Sequence, residues 1–166
     1  MTLTSAGYDQ PDCAAVQIGS VYYRAHSYRV ARYVGTGVIG GVQIRVRCFV
    51  EQPNAQQVEL FDSLVVERDE ESDEILDCPK MICVGTTLVV CWVNVNFPTA
   101  TLNMASLDLA TLASTGPDWI SGGAISIHAS GLYDLVNIET GEYYETHPTD
   151  FIVAYKNLAN DFRVVL

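Results

Sequence analysis

Residues 83–112 read CVGTTLVVCWVNVNFPTATLNMASLDLATL. The run Leu88–Val93 is wholly apolar, Pro98 interrupts the segment, and a half-apolar run then continues to Asp108. Apolar and β-branched side chains favour extended strands, whereas proline favours a turn. We therefore predict a β-hairpin here, and segments of weaker but similar character lie on both sides of it.

The composition of the whole chain favours the same kind of structure. Of the 166 residues, 49% are apolar and only 17% are charged, which excludes disorder as a description of the chain. Val, Ile, Thr and Tyr are abundant, and no long segment keeps an uninterrupted helical period. We predict an all-β fold of repeated β-hairpins, with a polar N-terminal arm at residues 1–15 and one all-β domain at residues 16–166.

Residues 42–50 show the clearest two-residue alternation of side-chain character in the sequence. Every second residue is of a type that suits a core, namely Val42, Ile44, Val46, Cys48 and Val50. Arg45 and Arg47 lie between them. Since successive side chains of a strand point to opposite faces, one face is predicted to join the core and the other to be basic and solvated.

Residues 16–34 are rich in aromatic and β-branched side chains, and Gly19 marks a turn between them. Tyrosines interleave here with Arg24, Arg29 and Arg32. Two interpretations stay open. The segment forms an amphipathic pair of strands with Arg and Tyr on the solvated face, or it forms a basic aromatic surface that meets a partner or stacks on bases.

Charge is distributed unevenly along the chain. The net charge of −11 combines +3 over residues 1–50 with −14 over residues 51–166. An acidic body repels a phosphate backbone, so nucleic-acid binding is not predicted. Residues 67–74, ERDEESDE, lack the spacing and the glycine of an EF-hand, and we predict a solvated loop there. The predicted interaction surface comprises Arg24, Arg29, Arg32, Arg45 and Arg47 with Glu70, Glu71, Asp73 and Glu74.

The five cysteines are odd in number, and none belongs to a CxxC pair. Cys48 and Cys91 lie inside apolar runs, where a free cysteine behaves as a small buried hydrophobe. Cys78 and Cys83 lack the second Cys or His pair that a zinc site requires, so no metal or cofactor is predicted. The N-terminus does not resemble a signal peptide, and the longest apolar run is too short to span a membrane.

Parts of the sequence repeat. Cys48-Phe49-Val50 matches Cys91-Trp92-Val93 at an offset of 43, and Ser63-Leu64 matches Ser106-Leu107 at the same offset. A third copy starts near Phe151 at an offset of 63 and stops inside its second strand at residues 162–166. The additional residues of that copy include 132–146, which we predict to form another hairpin with a turn at Gly141.

With strand, turn and strand at this spacing, the chain resembles a β-propeller, in particular the degenerate blades of virion and tail proteins of tailed bacteriophages. The resemblance covers about residues 42–166 and implies a partial propeller. It also implies a location in the virion, which is assembled in the host cytoplasm. Because the last copy is incomplete, we expect a longer protein of which this is the N-terminal part, or strand edges covered by neighbouring subunits. A β-sandwich of stacked hairpins is the alternative fold.

No arrangement of residues indicates catalysis, since His26, His128 and His147 are dispersed and no GxSxG motif occurs. We predict a structural or assembly protein rather than an enzyme. Its expected partners are copies of itself, in a homo-oligomer, and other structural proteins, as in a phage tail or portal-associated component. The alternative is a carbohydrate-binding or adhesin module that stacks sugars on Trp119, Tyr143 and Tyr144.

Overall fold

The computed structural model describes residues 6–34, 38–51, 56–69, 74–96, 99–112, 116–126, 134–139, 152–156 and 162–165. In this part of the chain, the secondary structure consists of eleven β-strands and one 3-10 turn. The strands are β1 (Ala6–Ile18), β2 (Val21–Val34), β3 (Val38–Glu51), β4 (Gln57–Asp69), β5 (Glu74–Val84), β6 (Thr87–Asn96), β7 (Thr99–Asp108), β8 (Ile120–Ser126), β9 (Asp134–Glu139), β10 (Ile152–Lys156) and β11 (Phe162–Val165). The predicted all-β fold is confirmed.

The strands form three antiparallel sheets in which neighbours in sequence are neighbours in space. The first sheet has the order β1-β2-β3-β4, the second β5-β6-β7-β8, and the third β9-β10-β11. The predicted hairpin within residues 83–112 is confirmed, because β6 and β7 pair without interruption from Thr87–Asp108 to Asn96–Thr99. After β7, the Asp108 side chain accepts a hydrogen bond from Ala110 N and begins the 3-10 turn Leu109–Thr111.

The first and second sheets begin in the same way. In β1, Gln10 and Pro11 lie opposite a single residue of β2, and in β5, Cys78 and Pro79 lie opposite a single residue of β6. Each is a β-bulge, where proline is tolerated because the position donates no ladder hydrogen bond. Two-residue turns then close each hairpin, at Gly19-Ser20 with φ 61° and at Gly85-Thr86 with φ 58° for the glycines.

These shared features relate the first hairpins of the two sheets. Gly85 follows Gly19 by 66 residues and Pro79 follows Pro11 by 68, so β5 and β6 correspond to β1 and β2. The offset of 43 instead aligns Cys48 in β3, the third strand of its sheet, with Cys91 in β6, the second strand of its sheet. Both cysteines lie in interior strands and are fully buried, and this common environment explains why their sequences look alike.

A shared hydrophobic core joins the first two sheets face to face. The first sheet contributes Ile44, Val46 and Cys48 from β3, all fully buried, as the alternation of residues 42–50 predicts. The second sheet contributes Leu88, Val90 and Trp92 from β6 to the same cluster. Burial of these apolar side chains is the main favourable contribution to holding the sheets together.

The opposite face of β6 is buried as well. Val89, Cys91 and Val93 alternate with the residues that face the first sheet, and each is at least nine-tenths buried. Strand β9 of the third sheet lies beside β5 and β6. A strand covered on both faces needs a continuous apolar sequence, which is why residues 88–93 show no alternation. Cys48 and Cys91 are free and buried as predicted, and burial raises their thiol pKa values to about 11 and about 12.

Three side-chain hydrogen bonds also connect the first sheet to β5 and to Trp119, which precedes β8. Asp12 Oδ2 accepts from Met81 N at 2.8 Å, and Arg29 Nη1 donates to the Leu76 carbonyl at 3.3 Å. Trp119 Nε1 donates to Ser63 Oγ at 2.9 Å. Because these bonds involve β1, β2 and β4, they fix the relative position of the sheets across the width of the first sheet.

Strands β1 and β8 are edge strands of the first two sheets. Residues 6–15, predicted as part of an arm, pair with β2 as the first part of β1. Strand β8 begins at Ile120. The glycines before residue 124 belong to the strand because the register shifts opposite Met104, whose side chain occupies the space where Gly122 would otherwise carry a Cβ.

The remaining expectations about segments fall partly outside the described residues. Of the loop predicted at residues 67–74, residues 67–69 belong to β4 and Glu74 begins β5, so the prediction is wrong for these residues. Residues 70–73 lie outside the described part. Of the hairpin predicted at residues 132–146, the structure describes β9, which pairs with β10. Residues 140–150, with the predicted turn, lie outside the described part.

Two serines on the inner face of the first sheet allow a stability prediction. Ser27 is fully buried and its hydroxyl has no hydrogen-bond partner, whereas the Ser63 hydroxyl accepts the Trp119 N–H. We expect Ser27→Ala to leave stability unchanged or raise it by about 1 kcal/mol, since an unpaired buried hydroxyl is unfavourable. Ser63→Ala should lower it by about 1 kcal/mol, because the indole N–H loses its acceptor.

Urea unfolding of the two serine variants, monitored by tryptophan fluorescence, checks this difference. The substitution is the same in both, so the variants serve as controls for each other. Equal destabilisation by Ser27→Ala and Ser63→Ala would contradict the conclusion that only the Ser63 hydroxyl makes a stabilising hydrogen bond.

Candidate functional site

The face of the first sheet that points away from the second sheet carries an ordered polar and aromatic surface. We call it the outer face. Cross-strand partners in a sheet share one face, so the pairing of β2 with β3 and of β3 with β4 defines its members. They include Tyr22, Arg24, His26, Tyr28, Gln43, Arg45, Arg47, Phe49, Asp62, Leu64 and Glu67.

Asp62 is the centre of this face. Its carboxylate accepts hydrogen bonds from Tyr28 Oη at 2.8 Å, from Arg45 Nε at 3.1 Å and from Arg47 Nη2 at 2.7 Å. Two register shifts in the pairing of β3 with β4 flank this region, and the one between Cys48 and Phe49 leaves Leu60 without a cross-strand partner. That bulge places Asp62 directly opposite Arg47 and on the same face as both arginines.

The electrostatics of the cluster keep all its members in their usual charge states at neutral pH. Partial burial by itself raises the pKa of Asp62, but the hydrogen bonds from Arg47, Tyr28 and Arg45 outweigh it and lower the pKa overall. Burial, followed by the hydrogen bond to Asp62, raises the pKa of Tyr28. The hydrogen bond to Asp62 raises the pKa of Arg47. A carboxylate with three strong donors is a stable recognition element.

Side chains around the cluster are held by further contacts. The Arg24 guanidinium lies 5.7 Å from the Tyr22 ring centroid and 4.0 Å from Glu51, and its side chain is 50% exposed. Arg47 lies 5.9 Å from the Tyr28 ring centroid. Cation–π contacts of this kind restrict the arginine side chains while leaving their charged groups accessible.

Aromatic and apolar groups complete the outer face. The rings of His26 and Phe49 pack edge to face at 5.9 Å. Leu64, paired with Arg45, is a large hydrophobic side chain that is 40% exposed. The face therefore combines guanidinium groups, aromatic rings and an exposed leucine over three adjacent strands.

The structure brings together three of the five arginines that the sequence predicts as an interaction surface. Arg24, Arg45 and Arg47 lie on the outer face. Arg29 lies on the inner face, opposite Ile44, and donates to the Leu76 carbonyl. Arg32 lies in β2, and its side chain is outside the described part.

The acidic half of the predicted surface is mostly not described. Glu70, Glu71 and Asp73 lie outside the described residues, and Glu74 begins β5. Asp62 contacts both Arg45 and Arg47, and sequence reasoning missed it. Its partner Tyr28 was noted only as one of several tyrosines. No local pattern identifies this pair, because the bulges in β4 change which residues share a face.

Among the described residues, no three His, Cys, Asp or Glu side chains are grouped as ligands for a metal ion. Trp119, suggested above as a sugar-stacking residue, is half-buried and its N–H is donated to Ser63; Tyr143 and Tyr144 lie outside the described part. No helix among the residues described is long and apolar enough to cross a membrane.

Comparison with known proteins gives no match: no family model, no curated protein and no solved structure matches the chain.

The lowered pKa of Asp62 predicts how stability depends on pH. A carboxyl group whose pKa is lower in the folded state contributes stability above its unfolded pKa of about 3.9, and this contribution is lost as the pH falls through the folded value. At pH 7 we expect Asp62→Asn to lower the free energy of unfolding by about 1–2 kcal/mol. The difference in this free energy between the variant and the unmodified protein should shrink below about pH 4.

Urea unfolding over this pH range measures the difference. Glu59→Gln is the matched control, because Glu59 is 48% exposed and contacts only the rim of the cluster, 3.5 Å from Arg47. Its effect should be smaller at every pH. A cost of Asp62→Asn that stayed constant down to strongly acidic pH would show that the carboxylate is not stabilised in the folded protein.

Proposed function

We propose that this protein is a structural subunit of an assembly and that it acts through protein–protein contacts made by the outer face of the first sheet. The observation that carries the proposal is the hydrogen-bonded cluster of Tyr28, Arg45, Arg47 and Asp62, which is fixed in place yet partly exposed. Its composition supports binding, because Tyr and Arg are enriched in protein interfaces and dominate their binding energy.

The order of the cluster supports the same proposal. Long side chains such as arginine lose conformational entropy when a partner immobilises them. Here Arg45 and Arg47 are already restrained by Asp62, so part of that cost is met on folding. The exposed Leu64 beside them supplies apolar area that a partner would bury.

The expected partners are copies of this protein and other structural proteins. Side-chain exposures of 50% for Arg24 and 42% for Arg47 leave both guanidinium groups accessible to an acidic surface. A protein of net charge −11 offers such surfaces in its own copies. Residues 67–74 of a neighbouring copy are the most acidic segment available.

We further propose that the assembly is a virion, with the protein as a tail or portal-associated component assembled in the host cytoplasm. This part of the proposal is supported by the resemblance of the repeated hairpins to degenerate propeller blades of phage virion and tail proteins.

Self-association and its dependence on the outer face can be measured by analytical ultracentrifugation. We expect oligomers that weaken as salt rises towards about 1 M, where the screening length falls to about 3 Å. Arg47→Ala should weaken association by about tenfold, because it removes a guanidinium from the contact surface.

Arg68→Ala is the matched control for Arg47→Ala. Arg68 lies on the same sheet, opposite Val42, and therefore on the inner face. It should leave association unchanged. A protein that remained monomeric at all salt concentrations, or an equal effect of both variants, would contradict the proposal.

A further inference from the structure

Strand β4 is the edge of the first sheet on the side away from β1. An edge strand presents a row of backbone N–H and C=O groups that its own sheet does not use. Among the described residues, the only backbone hydrogen bond outside the strand ladders joins Leu109 N to Thr86 O. Within that part of the chain, no backbone group therefore bonds to the side of β4 that faces away from β3.

Exposed apolar side chains are concentrated on the same strand. In the described residues, the large hydrophobic side chains that are exposed are Val58 and Leu60 (42% each), Leu64 (40%) and Ile120 (67%). The first three belong to β4. Ile120 directly follows Trp119, whose N–H is donated to Ser63 of β4. These side chains thus lie along one strand and beside it, whereas exposed hydrophobic residues without a role are scattered singly.

The apolar side chains of β4 point to both faces of the sheet. Val58 pairs with Val50 and belongs to the inner face, whereas Leu64 pairs with Arg45 and belongs to the outer face. Residues 57–60 are all exposed, whichever face they occupy. A strand added at this edge would therefore bury apolar area on both faces and use the backbone groups between them.

The charges on β4 do not oppose the approach of a similar strand. Asp62 contacts Arg45 and Arg47 of β3, and Glu59 lies 3.5 Å from Arg47. The acidic side chains next to the exposed apolar residues are thus already paired with cations of the neighbouring strand. A strand that carries the same acidic residues, paired in the same way, meets little like-charge repulsion.

We propose that β4 pairs with β4 of a second copy in antiparallel orientation, so that two first sheets of four strands form one continuous sheet across a two-fold axis. The other edge strands of the first two sheets are poorer partners. β1 and β5 each contain a proline and lie beside each other, and β8 has only seven residues, two of them glycine. β4 has 13 residues and contains neither. A two-fold contact matches this strand with itself and buries both sets of exposed side chains at once.

This contact goes beyond the proposed function, because it uses a different surface and different forces. The outer face binds through guanidinium groups, so its contact weakens as salt rises. Backbone hydrogen bonds and apolar burial at β4 are not screened by salt. Association at high salt therefore reports on the β4 contact, and association that appears only at low salt reports on the outer face.

Analytical ultracentrifugation at about 1 M salt, where the screening length is about 3 Å, tests the β4 contact. We expect the unmodified protein to be a dimer. Leu60→Lys should weaken the dimer by at least about tenfold, because a lysine on an edge strand opposes strand pairing. Leu60 has no cross-strand partner in its own sheet, so the substitution leaves the pairing with β3 intact.

Ala110→Lys is the matched control, because Ala110 is exposed in the 3-10 turn that follows β7. It adds the same charge and should leave the dimer unchanged. Circular dichroism and thermal unfolding verify that both lysine variants fold.

Photo-crosslinking identifies the strand that occupies the edge. The photoreactive amino acid p-benzoylphenylalanine replaces Gln57, which is exposed at the start of β4. Chains labelled with heavy nitrogen are refolded together with unlabelled chains, so a crosslink between copies joins a heavy peptide to a light one in mass spectrometry. We expect these crosslinks to reach residues 57–69 of the other copy. Crosslinks between copies that reach only other segments would overturn the pairing of β4 with β4.

The remaining outcomes separate this contact from the outer-face contact. A monomer at about 1 M salt, or a dimer that persists in Leu60→Lys, would overturn the β4 contact. The proposed function would still stand if association returned at low salt and was weakened by Arg47→Ala. A dimer that is dissociated by Leu60→Lys, with no additional association at low salt, would support the β4 contact and contradict the role proposed for the outer face.

Discussion

Burial of β6 on both faces is the constraint on which the rest of the structure depends. Its side chains alternate between the core shared with the first sheet and the opposite face, and residues 88–94 are all at least nine-tenths buried. One neighbouring layer can bury only one face of such a strand, so both faces need cover. The first sheet covers one side, and strand β9 of the third sheet lies beside β5 and β6.

The polarity of the outer face follows from the same arrangement. Only one face of the first sheet is needed to cover β6, so the other face is free to carry charge. Asp62 organises that face because it receives three donors from two neighbouring strands. Each donor alone would be a weak surface contact, but together they hold Tyr28, Arg45 and Arg47 in one arrangement. In the strands of the first sheet, alternate residues therefore face inward and pack against the core, while the residues between them form the outer face.

The sequence allowed the strands to be predicted more fully than the site. The alternation of β3 and the apolar run of β6 are local patterns, and both are reproduced by the structure. Bulges, in contrast, leave no local pattern in the sequence. One of them places Asp62 opposite Arg47, and another puts Pro11 inside β1, where proline and polar residues had indicated an arm. The likeness between the first two sheets was not visible in the sequence for the same reason, since it consists of bulges and turns rather than matching residues.

Pro11 and Pro79 also keep the layers separate. Strands β1 and β5 are edge strands of their own sheets and lie side by side, so their free backbone groups are in a position to join the two sheets into one. A proline in each edge strand removes one of the N–H groups that such a junction would need. Asp12 accepts the Met81 N–H with its side chain, so this donor too is diverted from strand pairing. The two bulges thereby act against a merged sheet, and they allow repeated units of similar sequence to stack without fusing at their edges.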